Sequence, residues 1–404
     1  MTIVAPAYIL TPSKILRHKA VAFDTKIQKI APLEELLKLY PQATIIKAPD
    51  QLLLPTFANP HLHLEFSANK ATLSYGDFIP WLYSVIEHRE NLLPMCDRSC
   101  LDQALDTILT SGTGAIGAIS SYGEDLQACA NSPLKVHFFP EIIGSNPAAA
   151  DVMYASFLER FHQAKKHENH RFKTGVAIHS PYSVHYVLAK KALQIAKKYD
   201  SLVTVHFMES KAEREWLDSA RGPFAKFFKD LLGQSRPVND PKEFLELFME
   251  HRTLFVHMIW ADEKEWEMVK SMDATIVHCP ISNRLLGNGV LDLQKVDPLP
   301  YTLATDGLSS NYSLNLYEEL KAALFLHPNK NAVTFAKELI ERSSTEGYKA
   351  LGFEGGIIKE QAPADFQLVS LPQDLQNQEE IYLHLILHTS KPQAVYIEGK
   401  RHGT

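Results

Sequence analysis

Short apolar runs rich in β-branched residues recur along the chain, and longer segments with helical spacing of apolar positions lie between them. This alternation is typical of successive βα units, whose parallel strands are buried on both faces. The predicted strands are 52–57, 113–119, 135–143, 174–178, 202–205, 254–256, 274–277 and 301–304. The predicted helices include 187–199, 211–218, 263–271 and 316–325. This number of units predicts an α/β fold with a (β/α)8 TIM-like barrel.

Both chain ends have a different pattern, in which strand-like runs are not followed by long helices. The runs are 8–10, 20–23 and 45–48 near the N-terminus, and 366–369, 383–387 and 394–397 near the C-terminus. Neither end has enough strands to bury a sheet by itself. We therefore predict a small β-sandwich domain formed by residues 1–56 plus 356–404, beside a barrel domain formed by residues 57–355.

The composition is that of an ordinary globular protein. The chain has 404 residues, of which 45% are hydrophobic and 22% are charged, so a disordered or collagen-like chain is excluded. The 41 basic and 47 acidic residues give a net charge of -6, which provides no overall positive field for nucleic acid or an anionic membrane. We expect a small-molecule partner, no nucleic acid and no membrane, and the sequence leaves a homodimer open.

The N-terminus and the cysteines indicate the compartment. No basic segment precedes the first apolar stretch, no small-residue cleavage site follows it, and no apolar run is long enough to span a bilayer. The four cysteines are too few and too scattered for a disulfide scaffold in a chain of this length. We therefore expect a cytoplasmic protein with reduced thiols.

Histidines and one aspartate stand at the ends of several predicted strands. His61 and His63 follow the first strand and, two residues apart in an extended segment, face the same side. His206, His257 and Asp306 end the fifth, sixth and eighth strands. A core histidine or a helix cap would explain any one of them. Five such residues at the carboxyl ends of barrel strands are hard to obtain from packing alone, so they predict a metal site.

Several short motifs together resemble those of the amidohydrolase superfamily. They are Asn59-Pro60-His61-Leu62-His63, His206-Phe207-Met208-Glu209-Ser210, His278-Cys279-Pro280-Ile281-Ser282-Asn283, Leu286-Gly287-Asn288-Gly289 and Thr305-Asp306-Gly307. The resemblance covers nearly the whole chain. Within the superfamily it is similar to the branch that removes amino groups or chlorine from aromatic rings, and His179-Ser180-Pro181-Tyr182 narrows it towards the adenosine-type deaminases. Over its whole length the chain is most similar to the bacterial aminofutalosine deaminases.

The resemblance implies one divalent metal ion per chain, held by His61, His63, His206 and Asp306. Relatives with two metals generally need a bridging ligand, often a carboxylated lysine at the end of the fourth strand, where this chain has His179. Three neutral nitrogens and one carboxylate leave a coordination position for water, as a catalytic site requires. Zn²⁺ suits these ligands best, and Fe²⁺ is the alternative.

The resemblance also implies catalytic roles for Glu209, His257 and Asp306 and substrate contacts for His179, Trp81 and Glu209. Glu209 would move protons to and from the ring, and the alternative is a carboxylate that only caps the following helix. His257 would orient the attacking water, and Asp306 would accept its first proton. His179 has the alternative of a purely structural barrel histidine. We do not include His278 or Asn283 among the predicted catalytic residues.

The expected reaction is hydrolytic deamination of an adenine-type nucleoside by a metal-activated water. The resemblance favours conversion of aminofutalosine to futalosine and ammonia in menaquinone biosynthesis. S-adenosylhomocysteine, methylthioadenosine, guanine or a chlorinated triazine would be alternative substrates of the same site. An alternative of another class is a scaffold protein that has lost catalysis, which the complete ligand set disfavours.

One position departs from the pattern of the similar nucleoside deaminases. In those enzymes a glutamate that contacts the ribose hydroxyls precedes a Trp-Leu pair, whereas here Pro80 precedes Trp81-Leu82. The ribose must therefore be recognised by Glu87 or by another residue. Aminofutalosine also has a carboxylate far from its base, for which Arg89, Arg214 and Arg284 are the candidate partners.

Overall fold

Two separate sheets organise the chain in a computed structural model that describes residues 1–372, 375 and 377–403. Strands from both chain ends form an eight-stranded sheet in the order β17-β16-β15-β5-β1-β3-β4, with β2 paired to β1. These strands are β1 (Thr2–Leu10), β2 (Ile15–Arg17), β3 (Ala20–Phe23), β4 (Ile27–Ala31), β5 (Thr44–Pro55), β15 (Phe366–Ser370), β16 (Ala394–Ile397) and β17 (Lys400–His402). The prediction that the two ends combine into a separate β-layer is confirmed.

The middle of the chain forms the predicted barrel. Its sheet has the order β14-β13-β12-β11-β10-β8-β7-β6, with β9 paired to β8, and every strand pair in it is parallel. The strands are β6 (Phe57–Leu62), β7 (Thr113–Ser120), β8 (Lys135–Ile142), β9 (Phe172–Thr174), β10 (Val176–Ile178), β11 (Val203–Phe207), β12 (Thr253–His257), β13 (Ala274–His278) and β14 (Tyr301–Leu303).

All helices but the first and the last lie between β6 and β15, in the barrel part of the chain, while the first and the last lie between strands of the outer sheet. The helices are α1 (Leu33–Leu39), α2 (Phe78–Met95), α3 (Arg98–Thr110), α4 (Leu126–Asn131), α5 (Ala150–Lys165), α6 (Tyr186–Tyr199), α7 (Lys211–Ser219), α8 (Pro223–Leu232), α9 (Pro241–Glu246), α10 (Glu263–Lys270), α11 (Pro280–Leu285), α12 (Leu293–Val296), α13 (Leu316–Leu326), α14 (Ala332–Glu341), α15 (Gly347–Ala350) and α16 (Ile381–His388). Of the helices in the described part of the chain, none is both long and apolar enough to cross a bilayer.

Helix α6 shows how the sequence pattern produces these elements. Its buried residues, Leu188, Ala189, Ala192, Leu193 and Ala196, recur at intervals of three and four, so they form one apolar stripe facing the strands. The helix ends where Asp200 adopts a left-handed conformation with φ 49°. The predicted helix 187–199 is confirmed within one residue.

The first barrel strand lies further along the chain than predicted. The apolar run 52–55 belongs to β5 in the outer sheet, where it pairs with β15, and the first barrel strand is β6. The run is buried in the outer sheet, and an apolar run would also be expected in a barrel strand. Its composition therefore could not show to which sheet it belongs. Strand β6, with the sequence FANPHL, contains Asn, Pro and His and so lacks a strong apolar signal.

The predicted strand 383–387 is wrong, because this segment lies in helix α16. Its buried residues are Ile381, Tyr382, Leu385 and Ile386, which share one helical face. A short apolar run is compatible with either a buried strand or a buried helix, and this segment contains no Gly or Pro that would distinguish them. The division into domains 1–56 plus 356–404 and 57–355 stays a prediction.

A buried ion pair joins the barrel to the outer sheet. Lys135 begins β8, and its Nζ lies 2.6 Å from Oδ2 of Asp365, which precedes β15. The lysine side chain is 5% exposed and the aspartate side chain is fully buried. Lys135 also donates to the carbonyl of Glu354, and Asp365 accepts from the backbone N–H of Glu398. Both charges are therefore compensated within the protein.

Removal of one partner of this pair should destabilise the chain strongly. Asp365→Leu leaves the Lys135 ammonium buried without a counter-charge, which should lower the free energy of unfolding by about 3–5 kcal/mol. The double variant Lys135→Met/Asp365→Leu should recover most of that loss, because neither charge is then buried. Urea unfolding measures both. A single variant within about 1 kcal/mol of the wild type would contradict this role.

Candidate metal centre and active site

The strand-end histidines and Asp306 converge at one end of the barrel. His61 lies within β6 and His63 just beyond it, His206 lies in β11, His257 ends β12, and Asp306 follows β14. The ring centre of His61 is 5.0 Å from that of His63, 4.8 Å from His206 and 6.2 Å from His257. The structure therefore brings together all five residues that the sequence pattern singled out.

The ligand atoms of these five residues form two overlapping groups that share His61, one with His63 and Asp306 and one with His206 and His257, and within each group the atoms lie within 4.8 Å of one another. The Nε2 atoms of His61 and His206 are 3.2 Å apart. The Oδ1 atom of Asp306 is 3.6 Å from Nε2 of His61 and 3.5 Å from Nε2 of His63. Imidazole nitrogens and a carboxylate oxygen at such separations form a donor set that can surround a single ion.

Neighbouring groups orient these donors. Nδ1 of His206 is 2.6 Å from the carbonyl oxygen of His179, so it carries the proton and leaves the Nε2 lone pair facing the site. The hydroxyls of Ser282 and Ser310 both donate to Oδ2 of Asp306 at 2.8 Å. The backbone N–H of Gly307 donates to Oδ1, also at 2.8 Å. The ligand geometry is thus built by residues around the ligands.

The charge states suit a cation. Burial lowers the pKa of His63 to about 4 and that of His206 well below its usual value, so both rings are neutral near pH 7 and can coordinate a metal. Burial alone would raise the pKa of Asp306, but the nearby imidazoles of His61, His63 and His257 hold it well below its usual range. His61, His63, His206 and Asp306 can therefore hold one divalent cation.

His257 is oriented differently from the other histidines. Its Nδ1 donates to Oδ1 of Asn283 at 2.8 Å, so Nε2 is unprotonated. That Nε2 is buried without a hydrogen-bond partner and lies 3.6 Å from Oε1 of Glu209. Burial lowers the pKa of His257 to about 4. Its free nitrogen is therefore a hydrogen-bond acceptor aimed into the site, although it also lies near His61 and His206.

Glu209 lies two residues beyond β11, with its carboxyl group buried in the same cavity. Oε1 accepts a hydrogen bond from the side-chain amide of Asn288 at 3.1 Å. Burial, followed by the charges of Asp306 and Glu213, raises the pKa of Glu209 well above its usual value. A carboxyl group whose pKa is raised in this way is better suited to donate a proton as a general acid.

Glu209 does not cap the helix that follows it. Ser210 is the N-cap of α7 and accepts from the backbone N–H of Glu213. The Glu213 carboxylate in turn accepts from the backbone N–H groups of Met208 and Glu209, at 3.1 and 2.8 Å. This arrangement holds the backbone of Glu209 while its side chain remains available to the cavity.

Three residues of the site have left-handed backbone conformations. The φ angles are 50° at Met208, 72° at His257 and 59° at Asp306. Residues with side chains rarely adopt this region, and each such residue costs about 1–3 kcal/mol. The surrounding hydrogen bonds hold these strand ends in place, and functional sites are where such strain concentrates.

All three residues predicted to contact substrate, His179, Trp81 and Glu209, line the same cavity. Nδ1 of His179 is 2.6 Å from the hydroxyl of Ser183, and Nε1 of Trp81 donates to the carbonyl of Ser309 at 2.8 Å. Arg89 also lines the cavity and is exposed. Arg214, in contrast, is paired with Glu265 and Asp218. Among the arginine candidates, the structure therefore places Arg89 at the cavity.

Several residues of the site were not predicted. Asn283 and Asn288 lie in two of the sequence motifs named above. Their hydrogen-bond partners, His257 and Glu209, are distant along the chain. Glu213 had a readable signal, because Ser210-x-x-Glu213 has the spacing of a capping box. Glu141 had no signal, because it is a single acid in the apolar strand β8.

Comparison with known proteins agrees with this geometry. Residues 52–401 match the Amidohydrolase family. The chain belongs to this family. The aminodeoxyfutalosine deaminase of a Nitratiruptor species is 69% identical over 402 residues, which cover 100% of this chain and 99% of the relative. The adenosine deaminase of Helicobacter pylori is 34% identical over 395 residues and covers 96% of this chain and 95% of the relative.

Solved structures of this family show the same architecture. The crystal structure of Helicobacter pylori aminofutalosine deaminase in complex with methylthio-coformycin superimposes with a TM-score of 0.93 and 33% identity, covering 99% of this chain and 100% of that chain. The guanine deaminase of C. acetobutylicum shares the fold at a TM-score of 0.78 and 17% identity. The predicted barrel, family and hydrolytic deaminase class are confirmed.

The bond between His257 and Asn283 should matter for turnover in this amidohydrolase. Asn283→Leu removes the acceptor of the Nδ1 proton, so the ring is no longer fixed with Nε2 facing the cavity. We expect ammonia release to fall by about 10- to 100-fold while the melting temperature changes little. An Asn283→Leu enzyme that retains wild-type turnover would show that His257 needs no orienting partner.

Proposed function

We propose that this chain hydrolytically deaminates aminodeoxyfutalosine, using one divalent metal ion, to give futalosine and ammonia in menaquinone biosynthesis. The observation that carries the proposal is the 69% identity with an aminodeoxyfutalosine deaminase over the full length of both chains. The cavity adds a chemical argument, because it combines a metal-type donor set with a buried carboxyl group that can protonate a ring nitrogen.

His61, His63, His206 and Asp306 would hold the ion, and zinc is our proposed metal, with Fe²⁺ as the alternative. A divalent ion in such a site supplies Lewis acidity that makes a water molecule nucleophilic near neutral pH. The neutral imidazoles and the ionised Asp306 described above are the protonation states that bind a cation.

The remaining chemistry belongs to side chains around the ligands. Glu209, whose pKa is raised by burial, would donate a proton to N1 of the adenine ring as water adds to C6. Asp306 would accept a proton from that water, and Nε2 of His257 would accept the hydrogen bond that orients it. Asp306 would then give its proton to the amino group, which leaves C6 as ammonia, while the hydroxyl proton on C6 passes to Glu209 as the carbonyl forms.

The position of the nucleoside follows from these roles. With C6 near the ligand atoms and N1 near Glu209, we propose that His179 and Trp81 contact the nucleoside above them. Adenosine is a second candidate substrate, favoured by the 34% identity with the adenosine deaminase of Helicobacter pylori. A cytoplasmic location and a homodimer stay predictions from the sequence.

A substrate comparison tests the function directly. Purified enzyme should deaminate aminodeoxyfutalosine with a kcat/KM at least about tenfold higher than its values for adenosine, methylthioadenosine, S-adenosylhomocysteine and guanine, because the site must discriminate by contacts beyond the base. Ammonia release and ultraviolet absorbance follow the reaction. A higher kcat/KM for adenosine or S-adenosylhomocysteine would overturn the assignment of substrate.

Metal analysis of three histidine variants tests the ligand set. His63→Ala and His206→Ala each remove one of four proposed ligands, so bound metal should fall well below one per chain. His257→Ala should retain most of its metal but lose turnover. Equal loss of metal in all three variants would show that His257 is a ligand and that the proposed set is incomplete.

Replacement of Glu209 separates proton transfer from metal binding. Glu209→Gln has nearly the same shape, so the variant should retain the ion and the fold. Its kcat should fall about a hundredfold or more, since ring protonation is needed only on the way to the transition state. Turnover within about threefold of the wild type at saturating substrate would mean that another group supplies the proton.

A further inference from the structure

A buried carboxylate beside the ligand cluster has no role in the chemistry above. Glu141 lies near the end of β8, lines the cavity and is 1% exposed. Its Oε2 accepts a hydrogen bond of 2.6 Å from the hydroxyl of Ser121. Its Oε1 is buried and has no hydrogen-bond partner among the described residues. A buried carboxylate oxygen without a protein partner is costly, so this one is available to accept a hydrogen bond from a molecule bound in the cavity.

A second metal ion is not a consistent explanation. Glu141, His179 and His206 do offer ligand atoms within 4.8 Å of one another. However, Nε2 of His206 faces His61 in the first donor set, and its Nδ1 donates to the carbonyl of His179. His206 therefore has no nitrogen left for another ion. Glu141 and His179 alone would be a poor metal site.

The spacing of Glu141 and His179 fits a bridging hydroxyl group. Two polar atoms up to 4.8 Å apart can be joined through one oxygen that makes a hydrogen bond of about 2.8 Å to each. A hydroxyl group can donate to the carboxylate and also interact with the imidazole, because it is both a donor and an acceptor. The unpartnered Oε1 is the acceptor that such a donor needs.

The hydrogen-bond donors of a nucleoside substrate limit which of its groups can bind to Oε1 of Glu141. The adenine base has one donor, the 6-amino group, which must lie at the reacting carbon near Glu209. In the barrel, β10 lies between β8, which carries Glu141, and β11, which precedes Glu209. The donors that remain on a nucleoside are the ribose hydroxyls. The acid expected for them before Trp81 is absent, because Pro80 stands there.

We propose that Oε1 of Glu141 accepts a hydrogen bond from a ribose hydroxyl of the substrate, with the His179 ring on the other side of that hydroxyl. Glu141 thereby takes over the recognition that Pro80 cannot provide, from the end of the third barrel strand. This inference rests on the proposed function only in requiring a ribonucleoside, and Ser121 acts as a positioning residue for the carboxylate.

The test compares ribonucleosides with their deoxy forms. We measure kcat/KM for adenosine, 2′-deoxyadenosine and 3′-deoxyadenosine, and the dissociation constants of coformycin and 2′-deoxycoformycin by calorimetry. The wild type should prefer the ribonucleoside over at least one deoxy form by about 10- to 100-fold, as expected for a hydrogen bond to a charged group. In Glu141→Gln and Glu141→Ala this ratio should fall below about threefold.

Glu141→Gln is the sharper variant. The Ser121 hydroxyl should retain the amide oxygen, so the NH2 group would face the cavity and the acceptor would become a donor. Glu319→Gln is the matched control, since Glu319 is a buried carboxylate whose oxygens accept from the Ile281 N–H and the Asn311 amide. Whatever its effect on rate, the control should leave the ribose-to-deoxyribose ratio unchanged.

Three results would overturn the inference. They are a wild type without preference for ribonucleosides, an unchanged ratio in both Glu141 variants, and a loss of metal in Glu141→Gln, which would make Glu141 a ligand. Failure of the proposed substrate is a distinct result. An enzyme that deaminates adenosine but not aminodeoxyfutalosine still reports the ratio, and the coformycin pair reports it by binding if adenosine is not turned over.

Discussion

The hydrogen bond from the backbone N–H of Asp306 to the carbonyl oxygen of His61, 3.1 Å long, joins the last barrel strand to the first. Nearby, the side-chain amide of Asn59 donates to the hydroxyl of Thr305. The contacts that close the barrel are therefore also the contacts that hold Asp306 next to His61 and His63. A chain that failed to close here would separate Asp306 from His61 and His63 and would have no metal centre.

Burial then sets the chemistry of the cavity. It lowers the pKa values of His63, His179 and His257 to about 4, so these rings are neutral near pH 7, and it raises the pKa of Glu209. Asp306 is the exception, because hydrogen bonds and imidazoles stabilise its charge. The ionised carboxylate of Asp306 among neutral imidazoles favours binding of a cation, and the raised pKa of Glu209 favours proton donation.

Much of the fold could be predicted from the sequence. The alternation of apolar runs and helical segments indicated the barrel, and the strand-end positions of His61, His206 and Asp306 indicated where the site lies. The errors fell on short apolar runs. Residues 52–55 are buried in the outer sheet, whereas 383–387 lie in a helix that buries Leu385 and Ile386 and exposes Leu387. A short apolar run alone does not distinguish an outer strand from a barrel strand, or a helix from a strand.

The unpredicted part of the site depends on contacts between distant residues. Asn283 with His257, Asn288 with Glu209, and Glu141 with its free oxygen have meaning only once the strands are side by side. The sequence shows that no acid directly precedes Trp81, whereas the proximity of Glu141 to His179 in the cavity is visible only in the folded barrel. Sequence motifs thus located the reacting groups, while specificity depends on tertiary packing.

The central claim is that three histidines and one aspartate at this barrel end bind a single catalytic ion. The most direct measurement is metal content together with X-ray absorption of the wild-type enzyme purified with zinc. We expect one zinc ion per chain, coordinated only by nitrogen and oxygen, with absorption fine structure that shows scattering from about three imidazole rings. Two ions per chain, a sulfur ligand or a fully active enzyme without metal would contradict it.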